Sequence, residues 1–254
     1  MACETGYGVA SVPGVNGPAR PDTVESVALS DRLGCTNTCV DAHLIPAGES
    51  LSSSPGRERL VVPLGLADSG ALGGTLSLSA RAVGRVPADR PCTIEADTDT
   101  VVLAISTSTD GGAAEPATVD LAAAEYRVPS TSDVATAHLT AALGCAGLKV
   151  NARRLGPGQA VPLHTEGTQE EVFVPLDDGG SMRVDDETLH TPRGTVVRVA
   201  PATPRSAQTH GDAATVWLMV GAPPTGGPTD WDPGATILED SDAATTVRTD
   251  RCER

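Results

Sequence analysis

The chain has 254 residues; 39% are hydrophobic and only 2% aromatic, so a core must be built from Val, Leu, Ala and Ile. A formal charge of −15, with Lys149 the single lysine, leaves no basic stripe for nucleic-acid phosphates or an anionic membrane surface. No apolar run approaches the roughly 20 residues that span a bilayer, and Met1-Ala2-Cys3-Glu4-Thr5 lacks the basic and apolar regions of a signal peptide. A cytoplasmic location is therefore expected.

In chain order, Val24–Leu33 reads as a short helix ended by Gly34. Cys35 and Cys39 follow with C-x3-C spacing, but no second Cys or Cys/His pair stands at zinc-site spacing, so idle or buried thiols outweigh zinc. The six cysteines, at 3, 35, 39, 92, 145 and 252, are expected to be reduced. Thr75–Leu78 and Thr100–Ile105 read as strands, and Thr107–Glu125, rich in Ala, Gly, Asp and Thr, as a linker. Asp133 is placed to cap a helix over Val134–Leu143 that Gly144 ends. Val172–Leu176, Val196–Val199 and Thr215–Val220 are further strands; Asp177-Asp178-Gly179-Gly180 and His210-Gly211-Asp212 look like hairpin turns. Trp217 should be core, and Trp231 is placed to pack a C-terminal tail. Many short strands with regular turns make the chain all-β.

The landmarks recur. Leu51–Leu64 aligns without a gap to Leu163–Leu176, both ending Val-Pro-Leu. Leu33-Gly34-Cys35 matches Leu143-Gly144-Cys145, Pro46-Ala47-Gly48 matches Gly156-Pro157-Gly158, and Val86-Pro87-Ala88 matches Ala200-Pro201-Ala202. Landmarks repeated in one order indicate a duplication: a first half over 1–106, a linker over 107–125 and a second half over 126–254.

The second half carries the chemistry. His164 and Glu166 are two apart, so on a strand they share a face. A short loop returns Glu171 opposite them. One imidazole and two carboxylates make a facial set for a divalent ion. Gly158, His164, Glu166, Glu171 and Gly179 together resemble the first motif of the cupin superfamily. Glu166 stands where that motif has its second His, and Gly179 comes one residue late. Val199-Ala200-Pro201-Ala202-Thr203-Pro204-Arg205 is similar to the Pro-rich second motif, with Arg205 in place of its His.

The resemblance implies two tandem cupin-like (jelly-roll) β-barrels with short helices before each. It also implies one divalent ion (iron, manganese or zinc) on His164, Glu166 and Glu171, with Arg205 and Gln169 as candidate ligand-binding side chains. The acidic, lysine-poor composition resembles that of haloarchaeal proteins, whose surfaces suit molar salt. Arg205 leaves the alternative open: paired with Glu166 or Glu171, it would close a metal-free pocket.

The gapless alignment puts Ser52, Ser54 and Arg59 of the first half opposite His164, Glu166 and Glu171, and Cys92 opposite Arg205. Those four are expected to converge without holding an ion. An inert, buried Cys92 outweighs a reactive one. His43, His138, His190 and His210 fall outside the motifs, and His138, on the expected helix, reads as exposed or packed. No phosphate loop or nucleophile elbow is present. A metal-dependent enzyme, a non-catalytic binding module for a small molecule and a structural protein all remain open, as does a homodimer.

Overall fold

The computed structural model describes residues 6–16, 21–65, 71–107, 115–129, 132–227 and 232–238, and the backbone of 246–248. Trp231, Cys3 and Cys252 lie outside the described residues. The fold is nearly all β; among the described residues only Ser30–Leu33 and Thr140–Leu143 are helical.

Each half lays one sheet over another. The inner sheet of the first half runs, edge to edge, Ala117–Asp120, Ala82–Val86, Glu58–Pro63, Thr100–Thr107, Cys39–Ile45 and Glu25–Ala28. That of the second half runs Tyr7–Ser11, Thr195–Val199, Glu170–Pro175, Thr215–Ala222, Lys149–Leu155 and Ala135–His138. The orders correspond strand for strand, as a duplication requires.

The edge strands are exchanged. Tyr7–Ser11, from the start of the chain, pairs with Thr195–Val199 of the second half. Ala117–Asp120, within the stretch expected to be a linker, pairs with Ala82–Val86 of the first. Each half thus completes its inner sheet with a strand that precedes the other half.

The outer sheet of the first half orders Ser50–Ser53, Cys92–Ala96, Ala71–Gly74 and Leu78–Ser79. In the second half His164–Thr165, Arg205–Thr209, Gly180–Val184 and Glu187–His190 take the matching places, flanked by Thr236–Ile237 and Thr246–Arg248.

Strand periodicity divides the core in three. On Glu58–Pro63, Leu60 and Val62 face the other half, while Val61 faces its own outer sheet. On Glu170–Pro175, Val172 and Val174 face the first half, while Phe173 packs with Trp217, Met182 and Val199 inside the second. Trp217 is fully buried, as expected. The inner sheets therefore meet face to face over a shared aliphatic core. Each fully buried Leu or Val there contributes roughly 1.5–3 kcal/mol relative to exposure.

Several local expectations are corrected. The helices over Val24–Leu33 and Val134–Leu143 shrink to their last turns, because Glu25–Ala28 and Ala135–His138 pair onto the edges of the inner sheets. Sheet pairing there overrides a helix reading that rested on the stop signal. The stop signal itself is right: Gly34 and Gly144 both sit at φ 67°, where a Cβ would be strained. Asp133 does not cap; the cap residue is Leu139, without a side-chain hydrogen bond. The turns at 177–180 and 210–212 join strands of different sheets rather than forming hairpins. Residues 75–77 lie between strands instead of within one. No helix among the described residues is long and apolar enough to cross a membrane.

Candidate metal centre

His164 sits on the strand His164–Thr165, opposite Arg205 on the neighbouring strand. Glu166 follows, its amide donating to the Pro201 carbonyl. Residues 167–169 then loop back so that Glu171, on the inner sheet, faces the pair. Asp232 holds this loop, one carboxylate oxygen accepting from the backbone amides of Gly167, Thr168 and Gln169. The chain passes so close that a Cβ on Gly167 would lie 2.7 Å from Gly234 Cα, so glycine is required there.

His164, Glu166 and Glu171 converge as expected, all three buried. Among the described residues they form the only His/Cys/Asp/Glu group able to hold a metal, with ligand atoms within 4.8 Å of one another. Nδ1 of His164 lies 2.8 Å from the Pro162 carbonyl. A carbonyl only accepts, so Nδ1 carries a proton and Nε2 is the ring nitrogen that faces inward. Nε2 stands 3.6 Å from Glu166 Oε1 and 3.7 Å from Glu171 Oε2. Ligands at ~2.1 Å from one ion are spaced at roughly 3–4 Å, so both distances from Nε2 suit a divalent cation.

Two further observations fit a cation. Glu166 Oε2 is buried with no hydrogen-bond partner. Burial, then repulsion from Glu171, pushes the Glu166 pKa up to about 8. For Glu171, burial works against the charge, but Arg205 and His164 outweigh it and hold the pKa down at about 2. An ion among the three would take the proton's place on Glu166.

Arg205 is fully buried and tied down. Its Nε donates to Glu171 Oε2 at 3.0 Å, and its Nη1 donates to the Pro201 and Thr203 carbonyls at 2.5 and 2.8 Å. The expected salt bridge forms, with Glu171 rather than Glu166, while the head of the side chain is drawn to the backbone. Gln169 is also committed, its amide donating to the Pro223 carbonyl and Thr225 Oγ1.

A cavity of about 60 Å³ adjoins Glu166 and Glu171. Lys149, Asn151, Arg153 and His138 line it as well, and sequence reasoning missed all four. The signal was present: positions 149, 151 and 153 alternate on one strand, so all three side chains point the same way. His138 lies on a strand rather than a helix, its Nδ1 2.9 Å from Asn151 Oδ1.

The first half departs from expectation. Arg59 and Cys92 meet, and burial raises the thiol pKa, in keeping with an inert cysteine. Ser52 and Ser54, however, are exposed and do not join them. Ser53, not Ser52, pairs with Cys92 as His164 pairs with Arg205. The gapless alignment is off by one at this point, and a one-residue slip on a strand turns a side chain to the other face.

No family model and no curated protein matches this chain. Solved structures do. A putative glyoxylate-induced protein from Pseudomonas aeruginosa aligns with 87% of this chain and 88% of its own, at TM-score 0.66 and 13% identity. An oxalate decarboxylase from Bacillus subtilis, in a single-substitution form, aligns with 91% of this chain and 79% of its own, at TM-score 0.65 and 12% identity. A cupin 2 conserved barrel domain protein from Leptotrichia buccalis covers 80% of this chain and 91% of its own, at TM-score 0.55 and 12% identity. At such identities the likeness concerns the fold: this chain has the jelly-roll-like fold of cupin-domain proteins. Which chemistry the fold carries here rests on its own residues.

Proposed function

We propose that the second half binds one divalent ion, iron(II), manganese or zinc, through His164, Glu166 and Glu171, and presents it to a small polar molecule in the adjoining cavity. The observation that carries this is the orientation of His164, its Nδ1 bonded to the Pro162 carbonyl and its Nε2 aimed at two buried carboxylates. Hydrogen bonding of the other ring nitrogen is how proteins orient a ligating histidine. Bacillus subtilis oxalate decarboxylase, similar in fold, has Mn(II) centres. A bound ion would act as a Lewis acid on an oxygen of the ligand. Arg205 would serve as a bolt that keeps Glu171 ionised and in place.

The same reading takes each half as a closed jelly-roll barrel, the two in tandem and divided near 107–125, in a salt-adapted cytoplasmic protein. A homodimer remains compatible with it. A second reading is favoured by the 3.0 Å pairing of Arg205 with Glu171: a metal-free pocket locked by that salt bridge.

Calorimetric titration of the metal-stripped protein with manganese(II), iron(II) and zinc decides between them. One site per chain, with affinity largely lost in His164→Ala, is expected. Wild-type protein that takes up none of the three would leave the salt-bridge reading.

A further inference from the structure

We infer that the cavity beside the candidate centre takes a small organic carboxylate, gripped by Lys149 and Arg153 and completing the coordination of the bound ion. This deepens the reading above and rests on it.

The strand Lys149–Leu155 turns Val150 and Ala152 into the core between the halves, so Lys149, Asn151 and Arg153 face the interior of the second half. Lys149 is only 6% exposed, and its Nζ donates to the Thr225 carbonyl. Arg153 faces the charges of Glu171 and Glu166. Long cations are seldom buried without counter-charge.

With Glu166 ionised, as a bound ion requires, the side-chain charges around the site balance one another. Glu166, Glu171 and Asp232 supply three negative groups; Lys149, Arg153 and Arg205 supply three positive ones. A divalent ion would then add two uncompensated positive charges in a site where unpaired charge is costly. An anion that also ligates the ion offsets them.

Arg205 is not the group to receive that anion: it does not line the cavity, and its Nε and Nη1 are held by Glu171 and the Pro201 and Thr203 carbonyls. Arg153 and Lys149 line the cavity, and a guanidinium fork matches a carboxylate. About 60 Å³ corresponds to roughly four or five water positions, room for a two- or three-carbon acid. The first half supplies a contrast. Strand pairing places Cys39, Asp41 and His43 where the second half has Lys149, Asn151 and Arg153, so the paired cations accompany the candidate ligand set and are missing without it.

The test is titration of the Mn(II)-loaded full chain with glycolate, with neutral glycolamide of the same size, and with inorganic phosphate. Glycolate is expected to bind at least about tenfold more tightly than either control. Arg153→Gln should weaken glycolate at least about tenfold while Mn(II) affinity holds or rises, because a cation near the ion is gone. Arg153→Lys should retain most of the binding. Lys149→Met is the second variant, should Arg153→Gln melt early by circular dichroism, and it should weaken glycolate in the same way. Glycolamide or phosphate binding as well as glycolate, or glycolate binding unchanged in both Arg153→Gln and Lys149→Met, overturns the inference and leaves the metal reading intact. Failure of the wild type to bind Mn(II) removes both.

Discussion

Glu58 and Glu170 occupy matching places in the two halves, and each reaches into the half to which it does not belong. Glu170, fully buried, accepts from the backbone amides of Thr36, Asn37 and Thr38, from both threonine hydroxyls and from Arg198. Glu58, also fully buried, accepts from the amides of Ala146 and Gly147 and from Arg85. Each carboxylate thus anchors the turn that follows the short helix of the other half. With the exchanged edge strands, this makes the two halves mutually dependent.

Removing one such carboxylate is therefore expected to cost more than a surface ion pair would. Glu170→Gln leaves Arg198 buried without its counter-charge, a change worth about 3–5 kcal/mol. Replacing both partners, as in Glu170→Leu with Arg198→Met, should restore little. Three backbone amides would still lack an acceptor, and each buried unsatisfied group costs about 1–3 kcal/mol. Chemical denaturation of the single and double variants measures this. Full recovery in the double variant would mean that the ion pair, not the anchored turn, is what matters.

Cys35 and Cys145 also stand at equivalent positions, each close to one of these carboxylates. Burial, with further help from Glu170, pushes the Cys35 thiol up to about 11; burial and then Glu58 push Cys145 up to about 12. A thiol reacts as its thiolate. At pH 8 the thiolate fraction falls about 100-fold for Cys35 and about 1000-fold for Cys145 relative to a free cysteine with a pKa near 9. Alkylation by iodoacetamide, followed by mass spectrometry, should be correspondingly slow at both sites and should quicken when the protein is unfolded. Rapid labelling of the native protein at pH 8 would show that these thiols are not held in their protonated form.

The repeated strand order and the convergence of His164, Glu166 and Glu171 were legible because both are patterns in the sequence: landmarks in one order, and side chains spaced by strand parity. What was not legible is long-range. Tyr7–Ser11 finds its partner about three-quarters of the chain away, at Thr195–Val199, and no local signal announces such pairing. Ala117–Asp120 read as linker because its strand character depends on the sheet edge it joins. Arg153 and Lys149 look like surface charges until the sheet turns them inward. Glu58 and Glu170 fall opposite one another in the gapless alignment, yet a buried glutamate is written with the same letter as an exposed one.

A net charge of −15 sets an expectation for salt. Self-repulsion among carboxylates opposes the compact state, and the screening length shortens from ~10 Å at 0.1 M to ~3 Å at 1 M. The buried Glu–Arg pairs are screened much less than exposed charges, so the gain should come from the surface. Melting temperature is expected to rise steadily from low to multimolar KCl. A flat or falling curve would count against salt adaptation.

Arg205 tests the candidate centre from its other side. It stands where the cupin resemblance places a fourth ligand, and it pairs across the strands with His164. Arg205→His removes a fixed cation and supplies an imidazole in its place. Glu171 loses the charge that holds its pKa at about 2, but gains a neighbour that shares an ion with it. Mn(II) affinity at pH 7.5 is expected to rise by about tenfold or more, since one added ligand and one removed repulsion act in the same direction. The variant should also unfold more easily without metal, because the Pro201 and Thr203 carbonyls lose their donor. Calorimetric titration and melting with and without Mn(II) read the two effects separately. Metal binding seen only in Arg205→His would make the wild-type pocket a locked one. Binding in both, tighter in the variant, would keep Arg205 as a bolt beside a working site. Tighter binding by the wild type would show that the guanidinium orders the ligands more than its charge repels the ion.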